Sequence, residues 1–190
     1  MNKVLLFIVF VSFSLAIHAQ KVGVKTNLLY GIYTYTPNLG IELGMSPKST
    51  LELSGGYNPW HNERGVKKSL HWLAEVEYRY WLCQRFNGHF LGIHALGSRY
   101  NINKTKLPLL FGKNSDQYRF DGYAVGAGIS YGYQWILGTR WNLEANIGVG
   151  YARLDYDKYN CTTCGEKLGA ERRNYFGPTK AGISIIYIIK

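Results

Sequence analysis

The sequence is poor in the features that mark metal sites, redox sites and helical membrane proteins. It has three cysteines, of which Cys161 and Cys164 supply only two of the four ligands that a structural zinc site needs. The segment around this pair lacks the α/β pattern of a thioredoxin-like redox motif. Beyond residue 17, no stretch approaches about 18 consecutive apolar residues, so no membrane-spanning helix is predicted there. We therefore expect no metal ion and no cofactor.

The N-terminal residues have the pattern of a secretory signal peptide. Lys3 supplies a positive charge, an apolar run covers residues 4–17, and the small residue Ala19 ends it. The run of about 14 apolar residues is shorter than the ~20 that a membrane-spanning helix needs. We expect residues 1–19 to be removed on export and residues 20–190 to form one domain.

Glycines are abundant, and those of segment 122–135, GYAVGAGISYGYQW, can be interpreted in two ways. Their spacing resembles a phosphate-binding loop, but such a loop needs a strand before it and a helix after it. Taking every second residue gives instead an aromatic and aliphatic face opposite a face of glycine, serine and glutamine. Alternation of this kind is the pattern of a β-strand. With 22 Gly, 16 Tyr, 8 Phe and 5 Trp, the composition also predicts an all-β protein.

The same alternation recurs along the chain and predicts eight strands. Their expected bounds are 21–33, 36–46, 49–58, 69–83, 88–101, 118–136, 140–156 and 174–189. Tight turns join some of these strands, whereas the long polar segments 59–68, 102–117 and 157–173 join the others. Short turns at one end and long loops at the other are typical of outer-membrane barrels, with both termini at the short-turn, periplasmic end.

The second face of these strands distinguishes a barrel from a soluble β-sandwich. It carries Gly, Ser, Asn and Glu, which cannot form the apolar core of a sandwich. Such residues suit the narrow interior of a small closed barrel, which side chains fill. The sequence therefore predicts an eight-stranded antiparallel up-and-down transmembrane β-barrel, located in the outer membrane and too narrow for a solute pore.

Charged residues are expected at eight inward positions. They are Lys25, Glu42, Glu52, Glu75, Glu77, Arg79, Glu144 and Lys180. Unpaired charges in a closed interior are costly, so these residues should pair with one another. The run of Glu75, Glu77 and Arg79 along one face favours a structural salt-bridge network over acid–base catalysis. His71 and His94 have no convincing serine or carboxylate partner in the sequence, so no catalytic residue is assigned.

The cysteines have a simpler interpretation than metal binding or redox catalysis. An exported protein passes through an oxidising compartment, so a local disulfide between Cys161 and Cys164 is the simplest arrangement for the last long loop. Cys83 is expected to be free and buried, pointing inward near the periplasmic end.

Nine segments of the chain resemble a known family. They are KTNLLY (25–30), TPNLGIELG (36–44), YNPW (57–60), YRYW (78–81), FNGHFLGIH (86–94), SYGYQWIL (130–137), RWNLEA (140–145), YDKYNCTTCG (156–165) and NYFGPTKAGIS (174–184). Together they are similar to the domain-of-unknown-function 3575 family (DUF3575) of Bacteroidota outer-membrane proteins. The resemblance implies an outer-membrane barrel like the membrane domain of OmpA-like and OmpX-like proteins. Some members lie beside genes for fimbrial or other surface components, but no biochemical activity is established for the family.

The C-terminal segment carries a further resemblance. The pattern Lys180-x-Gly182-x-x-Ile185-x-Tyr187 is similar to the last-strand signal that the barrel assembly machinery recognises. This implies the machinery as a partner during biogenesis.

Basic residues exceed acidic ones, with 22 Lys and Arg against 12 Asp and Glu and a formal net charge of +10. Loops at the cell exterior would meet membrane lipid and the phosphates of lipopolysaccharide, so attraction to these anions is expected and nucleic-acid binding is not. The binding candidates in the predicted outer loops are Trp60, Arg64, Lys67, Lys68, Arg172 and Arg173.

The sequence thus favours a non-enzymatic outer-membrane surface protein whose outer loops bind or organise an envelope or fimbrial partner, because loops on a rigid scaffold commonly carry binding functions. The alternative is an outer-membrane barrel enzyme that acts on lipid A or on peptides. That alternative requires His71 or His94 to meet an acidic or serine partner at the rim.

Overall fold

The computed structural model describes residues 21–59, 69–103, 117–160 and 166–189. The expected signal peptide, residues 1–19, lies outside these ranges. So do four loop candidates and the two cysteines of the predicted disulfide, namely Trp60, Arg64, Lys67, Lys68, Cys161 and Cys164. Within the described ranges, no helix is both long enough and apolar enough to cross a membrane.

Eight strands and one short helix make up the described fold. In chain order they are β1 (Val22–Asn27), α1 (Leu28–Thr34), β2 (Asn38–Ser46), β3 (Ser49–Asn58), β4 (Ser69–Trp81), β5 (Gly88–Asn103), β6 (Arg119–Ile136), β7 (Trp141–Tyr159) and β8 (Lys167–Ile189). Each strand pairs antiparallel with the next, and β1 pairs with β8, which closes the sheet into a barrel. The predicted all-β fold of eight antiparallel up-and-down strands is confirmed.

The alternation of side chains along β6 shows how the sequence sets the two faces of the wall. Val125, Ile129 and Trp135 point outward and are 58%, 63% and 44% exposed. Gly132 and Gln134 lie between these outward positions and are buried inside. Because side chains of a strand alternate between its faces, the outside of the barrel is apolar and the inside is small or polar. The glycines of β6 belong to the barrel interior and not to a phosphate-binding loop.

The first strand is shorter than predicted, because residues 28–33 belong to α1 and not to a strand spanning 21–33. The side-chain oxygen of Asn27 accepts a hydrogen bond from the Leu29 N–H at 3.0 Å and caps the helix. The helix ends at Tyr35, which takes a left-handed conformation with a φ of 49°. An asparagine cap satisfies a backbone donor at the helix start, and this local hydrogen bond competes with continuation of the strand.

The prediction of a long loop over 157–173 is also wrong. β7 continues to Tyr159 and β8 already begins at Lys167, so that Asp155 pairs with Arg172 across the two strands. Arg172 and its neighbour Arg173 therefore lie on β8 and not in a loop. Charged side chains occupy both faces of the strands here, and the apolar–polar alternation that identifies the other strands is missing. The other two long connections lie between β3 and β4 and between β5 and β6, as predicted.

Side chains occupy the barrel interior in three layers. At the end formed by the short turns 47–48, 82–87 and 137–140, which we call the short-turn end, the ring of Trp81 lies 4.9 Å from that of Phe90 and 6.2 Å from that of Phe86. Charged residues form the middle layer. At the opposite end, where β5 to β8 extend farthest and which we call the long-strand end, an apolar cluster is formed by Tyr100, Phe120, Ala152, Leu154 and Tyr156.

The turn between β4 and β5 carries one side chain back into the interior. Phe86 has a positive φ of 63°, is buried, and its carbonyl accepts a hydrogen bond from Asn142 Nδ2 at 3.1 Å. Cys83 lies in the same turn and is exposed, which corrects the prediction that it is buried. The reason is that β4 ends at Trp81, so the alternation that would point Cys83 inward does not extend to it.

Two glycine substitutions test whether the glycine face of the wall is required for close packing. A Cβ added at Gly126 would lie 2.7 Å from the Tyr151 carbonyl oxygen and 3.0 Å from Ala152 Cβ, whereas one added at Gly97 would meet nothing within 4 Å. We expect Gly126→Ala to lower the free energy of unfolding by about 1–3 kcal/mol, as overpacking does. Gly97→Ala should leave it unchanged or raise it slightly. Denaturant unfolding followed by tryptophan fluorescence measures both, and equal effects would contradict this assignment of faces.

Candidate functional site

The middle layer of the barrel interior is a network of ion pairs. It contains the eight charged residues expected to point inward: Lys25, Glu42, Glu52, Glu75, Glu77, Arg79, Glu144 and Lys180. They come from β1, β2, β3, β4, β7 and β8. Because every one of them occupies an inward position of its strand, closure of the barrel brings side chains distant in sequence to one level.

Arg79 lies at the centre of this network and is fully buried. Its Nε donates to Glu77 Oε2 at 2.6 Å, and its Nη1 donates to Glu42 Oε2 at 3.0 Å and Glu144 Oε2 at 2.8 Å. Its Nη2 also pairs with Glu52. The guanidinium carbon lies 4.3 Å from the centroid of the Phe90 ring, so one face of the cation contacts the apolar layer at the short-turn end.

Lys25 joins the first strand to the same carboxylates. Its Nζ lies 2.8 Å from Glu52 Oε2, 2.9 Å from Glu144 Oε1 and 3.6 Å from Glu42 Oε2. Neutral donors satisfy further carboxylate oxygens: the Thr50 hydroxyl donates to Glu42 at 2.6 Å. The network is therefore hydrogen-bonded as well as charge-paired, which is the condition under which buried ions are tolerated.

Lys180 forms the second part of the network, together with three carboxylates of β3 and β4. Its Nζ contacts Glu75, lies 2.9 Å from Glu77 Oε2 and lies 3.9 Å from Glu52 Oε1. Oxygens of these three glutamates approach within 4.8 Å of one another, a spacing that a metal ion could bridge. The ammonium group of Lys180 already supplies the positive charge among them, so the geometry fits an internal ion pair better than a metal site.

A small cavity borders the network on the side of the long-strand end. Its volume is about 40 Å³, and Tyr30 of α1, Glu52, Glu75, Asn146 and Lys180 are among the residues that line it. A cavity of this size holds water molecules, whereas binding sites for organic ligands are typically about 300–1,000 Å³. The interior can therefore hydrate its charges, but it has no room for a metabolite here.

Among the residues that the structure describes, His94 does not form a catalytic relay with a serine. His94 is buried, and its Nε2 lies 2.8 Å from Thr179 Oγ1, while its Nδ1 has no hydrogen-bond partner among the described residues. The Ser130 hydroxyl donates to Glu77 instead of facing His94. His71, the second candidate, lies 3.3 Å from Thr36 Oγ1 through its Nε2. A nucleophile needs a base that a third group orients, and His94 lacks the orienting group.

A different set of polar residues lies outside the wall at the long-strand end. Five side chains follow one another across five adjacent strands, and we call them the cross-strand row: Trp72, Arg99, Tyr123, Asp155 and Arg172. They line an open cleft of about 1040 Å³. Sequence reasoning missed this row, although the charged ends of β6, β7 and β8 are visible in the printed sequence.

Several charged side chains at the long-strand end form ion pairs with one another. Asp155 accepts hydrogen bonds from Arg172 Nε at 2.6 Å and from Arg153 Nε at 2.9 Å, and Lys167 Nζ lies 2.8 Å from Asp157 Oδ2. The hydrogen bond from Arg172, with help from Arg153, lowers the pKa of Asp155 below its usual value. Of the residues expected to bind a partner, Arg172 belongs to this surface, and Arg173 follows it on β8.

Removal of the central cation tests the network. Arg79→Met leaves only Lys25 and Lys180 to neutralise the glutamates of the network, so we expect the free energy of unfolding to fall by about 3–5 kcal/mol, the usual effect of breaking a buried ion pair. Arg153→Met is the matched control, because its ion pair with Asp155 is solvent-exposed and should contribute less than about 1 kcal/mol. Denaturant unfolding of both variants gives the comparison. Similar losses would mean that Arg79 has no special structural role.

Comparison with known proteins identifies the family and nothing narrower. No curated protein and no solved structure matches the chain. A family described as "Protein of unknown function (DUF3575)" matches residues 5–189, which is nearly the whole chain. The chain therefore belongs to the DUF3575 family, as the resemblance of its motifs predicted.

Proposed function

We propose that the protein is a non-enzymatic outer-membrane β-barrel that presents a binding surface at the cell exterior. The observation that carries the proposal is the distribution of polarity in the wall. Large apolar side chains face outward around the barrel, among them Ile93, Val125, Ile129, Ile147 and Phe176, while ion pairs occupy the middle layer of the interior. A soluble protein rarely exposes so large a continuous apolar surface, whereas a transmembrane barrel requires one.

The height of the apolar band agrees with a membrane. On β6 the outward residues are apolar or aromatic from Val125 to Trp135. About ten residue steps of ~3.4 Å, on a strand tilted by ~40°, span roughly 26 Å along the barrel axis. Outer-membrane barrels have an apolar band of about 25 Å. On β7 the band ends between Tyr151 and Arg153, where outward charges begin.

Aromatic residues mark both borders of the band. At the short-turn end Trp135, Trp141 and Tyr187 face outward, and the rings of Trp141 and Tyr187 are 5.0 Å apart. At the long-strand end Trp72 and Tyr123 belong to the cross-strand row. Tryptophan and tyrosine favour the two membrane–water interfaces, so these residues support a spanning arrangement. The short turns, which are periplasmic in outer-membrane barrels, support an orientation with the short-turn end in the periplasm.

The filled interior favours binding over transport. The apolar layers at the two ends and the ion pairs between them leave no evident route for a solute through the described part of the barrel. Above the band, β6, β7 and β8 continue as a wall that carries the cross-strand row and its cleft. This wall gives a rigid, polar and aromatic surface to which a fimbrial or other envelope protein, or lipopolysaccharide at the same level, would bind.

The enzyme alternative receives less support. It would use His71 or His94. His71 lies beside the Thr36 hydroxyl, and the side chain of His94 is buried beside the ion pairs and bonded to Thr179. A lipid or peptide substrate would have to pass the apolar cluster of the long-strand end to reach His94. In the exposed cleft outside the wall, Asp155 is paired with Arg172 and Asp157 with Lys167.

Cysteine labelling tests the location and orientation. In a chain whose own cysteines are replaced by serine, Asn160→Cys places a thiol at the long-strand end and Thr139→Cys places one at the short-turn end. A membrane-impermeant maleimide added to intact cells should label Asn160→Cys, and should label Thr139→Cys only after the outer membrane is permeabilised. The opposite result would reverse the topology, and a protein that is monomeric without detergent would refute the membrane location.

Site-specific photo-crosslinking in intact cells tests the binding surface. A photoreactive phenylalanine analogue at Tyr123, in the cross-strand row, should give a discrete adduct with a partner. The same analogue at Trp135, on the outward face of the same strand within the membrane border, is the matched control and should not give that adduct. If Tyr123 gives no adduct and His94→Ala alters the composition of lipid A, the enzyme alternative replaces this proposal.

A further inference from the structure

The two ends of the barrel differ in how their charges are arranged. The short-turn end carries four cations, namely Lys21, Lys48, Arg85 and Arg140. The three turns at this end are fully described, and none of their residues is acidic. At the long-strand end, by contrast, Arg153, Arg172 and Lys167 pair with Asp155 and Asp157.

Arg140 is held beside the aromatic border and not directed away from the barrel. Its Nη1 donates a hydrogen bond to the Tyr187 hydroxyl at 2.9 Å, and its carbonyl accepts the Ile188 N–H at 2.8 Å. Tyr187 contacts the exposed ring of Trp141, which pairs with it across β7 and β8. The guanidinium therefore lies on the outer face of the wall, at the level where aromatic side chains mark the membrane border.

The turns that carry two of the other cations lie against each other on the same rim. The carbonyl of Lys48 accepts the Trp81 N–H at 2.8 Å, and that of Pro47 accepts the Arg85 N–H at 3.0 Å. Lys48 is exposed, and Arg85 Nη1 approaches the Ser46 carbonyl at 3.5 Å, the outer limit for a hydrogen bond. The positive charge at this rim is thus carried by at least two neighbouring turns and by the turn of Arg140.

We propose that Arg140, Tyr187 and Trp141 form a headgroup site for an anionic phospholipid of the periplasmic leaflet, with Lys48 adding to the positive field of the rim. This inference rests on the proposed membrane location. A guanidinium presents several N–H donors in a plane and matches the oxygens of a phosphate diester. One donor is used by Tyr187, which fixes the group, while the indole of Trp141 contacts the acyl–headgroup boundary.

The position of the site favours phospholipid over a polymer or protein in the periplasm. A periplasmic partner would approach along the barrel axis, whereas Arg140 lies against outward-facing rings at the side of the barrel. The absence of carboxylates from the three turns also fits a neighbour that is itself negative, because basic residues near an anionic membrane surface are attracted to it. At the long-strand end, Arg153, Arg172 and Lys167 pair with carboxylates of the protein, so these three cations attract an anionic lipid less than Arg140 does.

Lipid retention measures the preference directly. The purified barrel is placed in nanodiscs with equal amounts of phosphatidylglycerol and phosphatidylcholine, and retained lipids are counted by native mass spectrometry. We expect the natural chain to retain phosphatidylglycerol preferentially. Arg140→Gln should lower the ratio of the two lipids about fivefold, which corresponds to the ~1 kcal/mol that one basic residue contributes near an anionic surface. Tyr187→Phe, which removes only the anchoring hydroxyl, should lower it by a smaller factor.

Arg153→Gln is the matched control, since it makes the same change at the opposite end of the barrel and should leave the ratio unchanged. An unchanged ratio in Arg140→Gln, or an equal fall in Arg153→Gln, overturns the site. Loss of co-sedimentation with peptidoglycan in Arg140→Gln, without a change in the lipid ratio, also overturns it and assigns the rim to the polymer. Heat-modifiable migration shows whether each variant is folded. A natural chain that does not insert into any bilayer would refute the membrane location, and this outcome is distinct from a failure of the lipid site alone.

Discussion

The buried guanidinium of Arg79 is the contact on which the middle of the barrel depends. It bonds to glutamates of β2, β3, β4 and β7, so that one side chain joins strands on different sides of the interior. An eight-stranded barrel is too narrow to hold bulk water and too polar inside, at this level, to be held by apolar packing. Ion pairs with good geometry replace that packing, and two aromatic layers shield them from both ends.

In the charge network, the sequence predicts which residues point inward but not which of them contact each other. Alternation alone identified the inward positions, and a closed interior requires the charges at those positions to pair. The partners across the barrel could not be predicted in the same way. Lys25 meets Glu144 because β1 pairs with β8 and β8 with β7, at registers that depend on closure of the whole sheet. Among the ion-pair partners of the network, only Glu77 and Arg79 lie on one strand and near each other in the sequence.

Two local features limited what the sequence could reveal about the fold. Residues 28–33 contain leucine, tyrosine and isoleucine, which suit a strand. The side chain of Asn27 caps the first turn and thereby favours a helix instead. Residues 157–173 are charged and lack alternation, yet strand pairing continues through most of them because β7 pairs with β8 from Trp141 to Tyr159, with two register shifts. In both places hydrogen bonds to the backbone decide the structure, from the Asn27 side chain in the first and from the neighbouring strand in the second, and residue type predicts them poorly. The cross-strand row was missed for the same reason, since it exists only once the register of β4 to β8 is known.

The separation of charges along the barrel axis predicts different kinds of recognition at the two ends. Where cations and carboxylates already pair, as around Asp155, a partner gains little from net charge and must match the positions of particular groups, so selectivity comes from geometry. Where cations lack carboxylate neighbours, as at Lys48 and Arg140, the field itself attracts any anion and depends little on the detailed shape of the partner. A rigid interior allows both to coexist, because ion pairs in the middle layer keep the two ends in fixed relation.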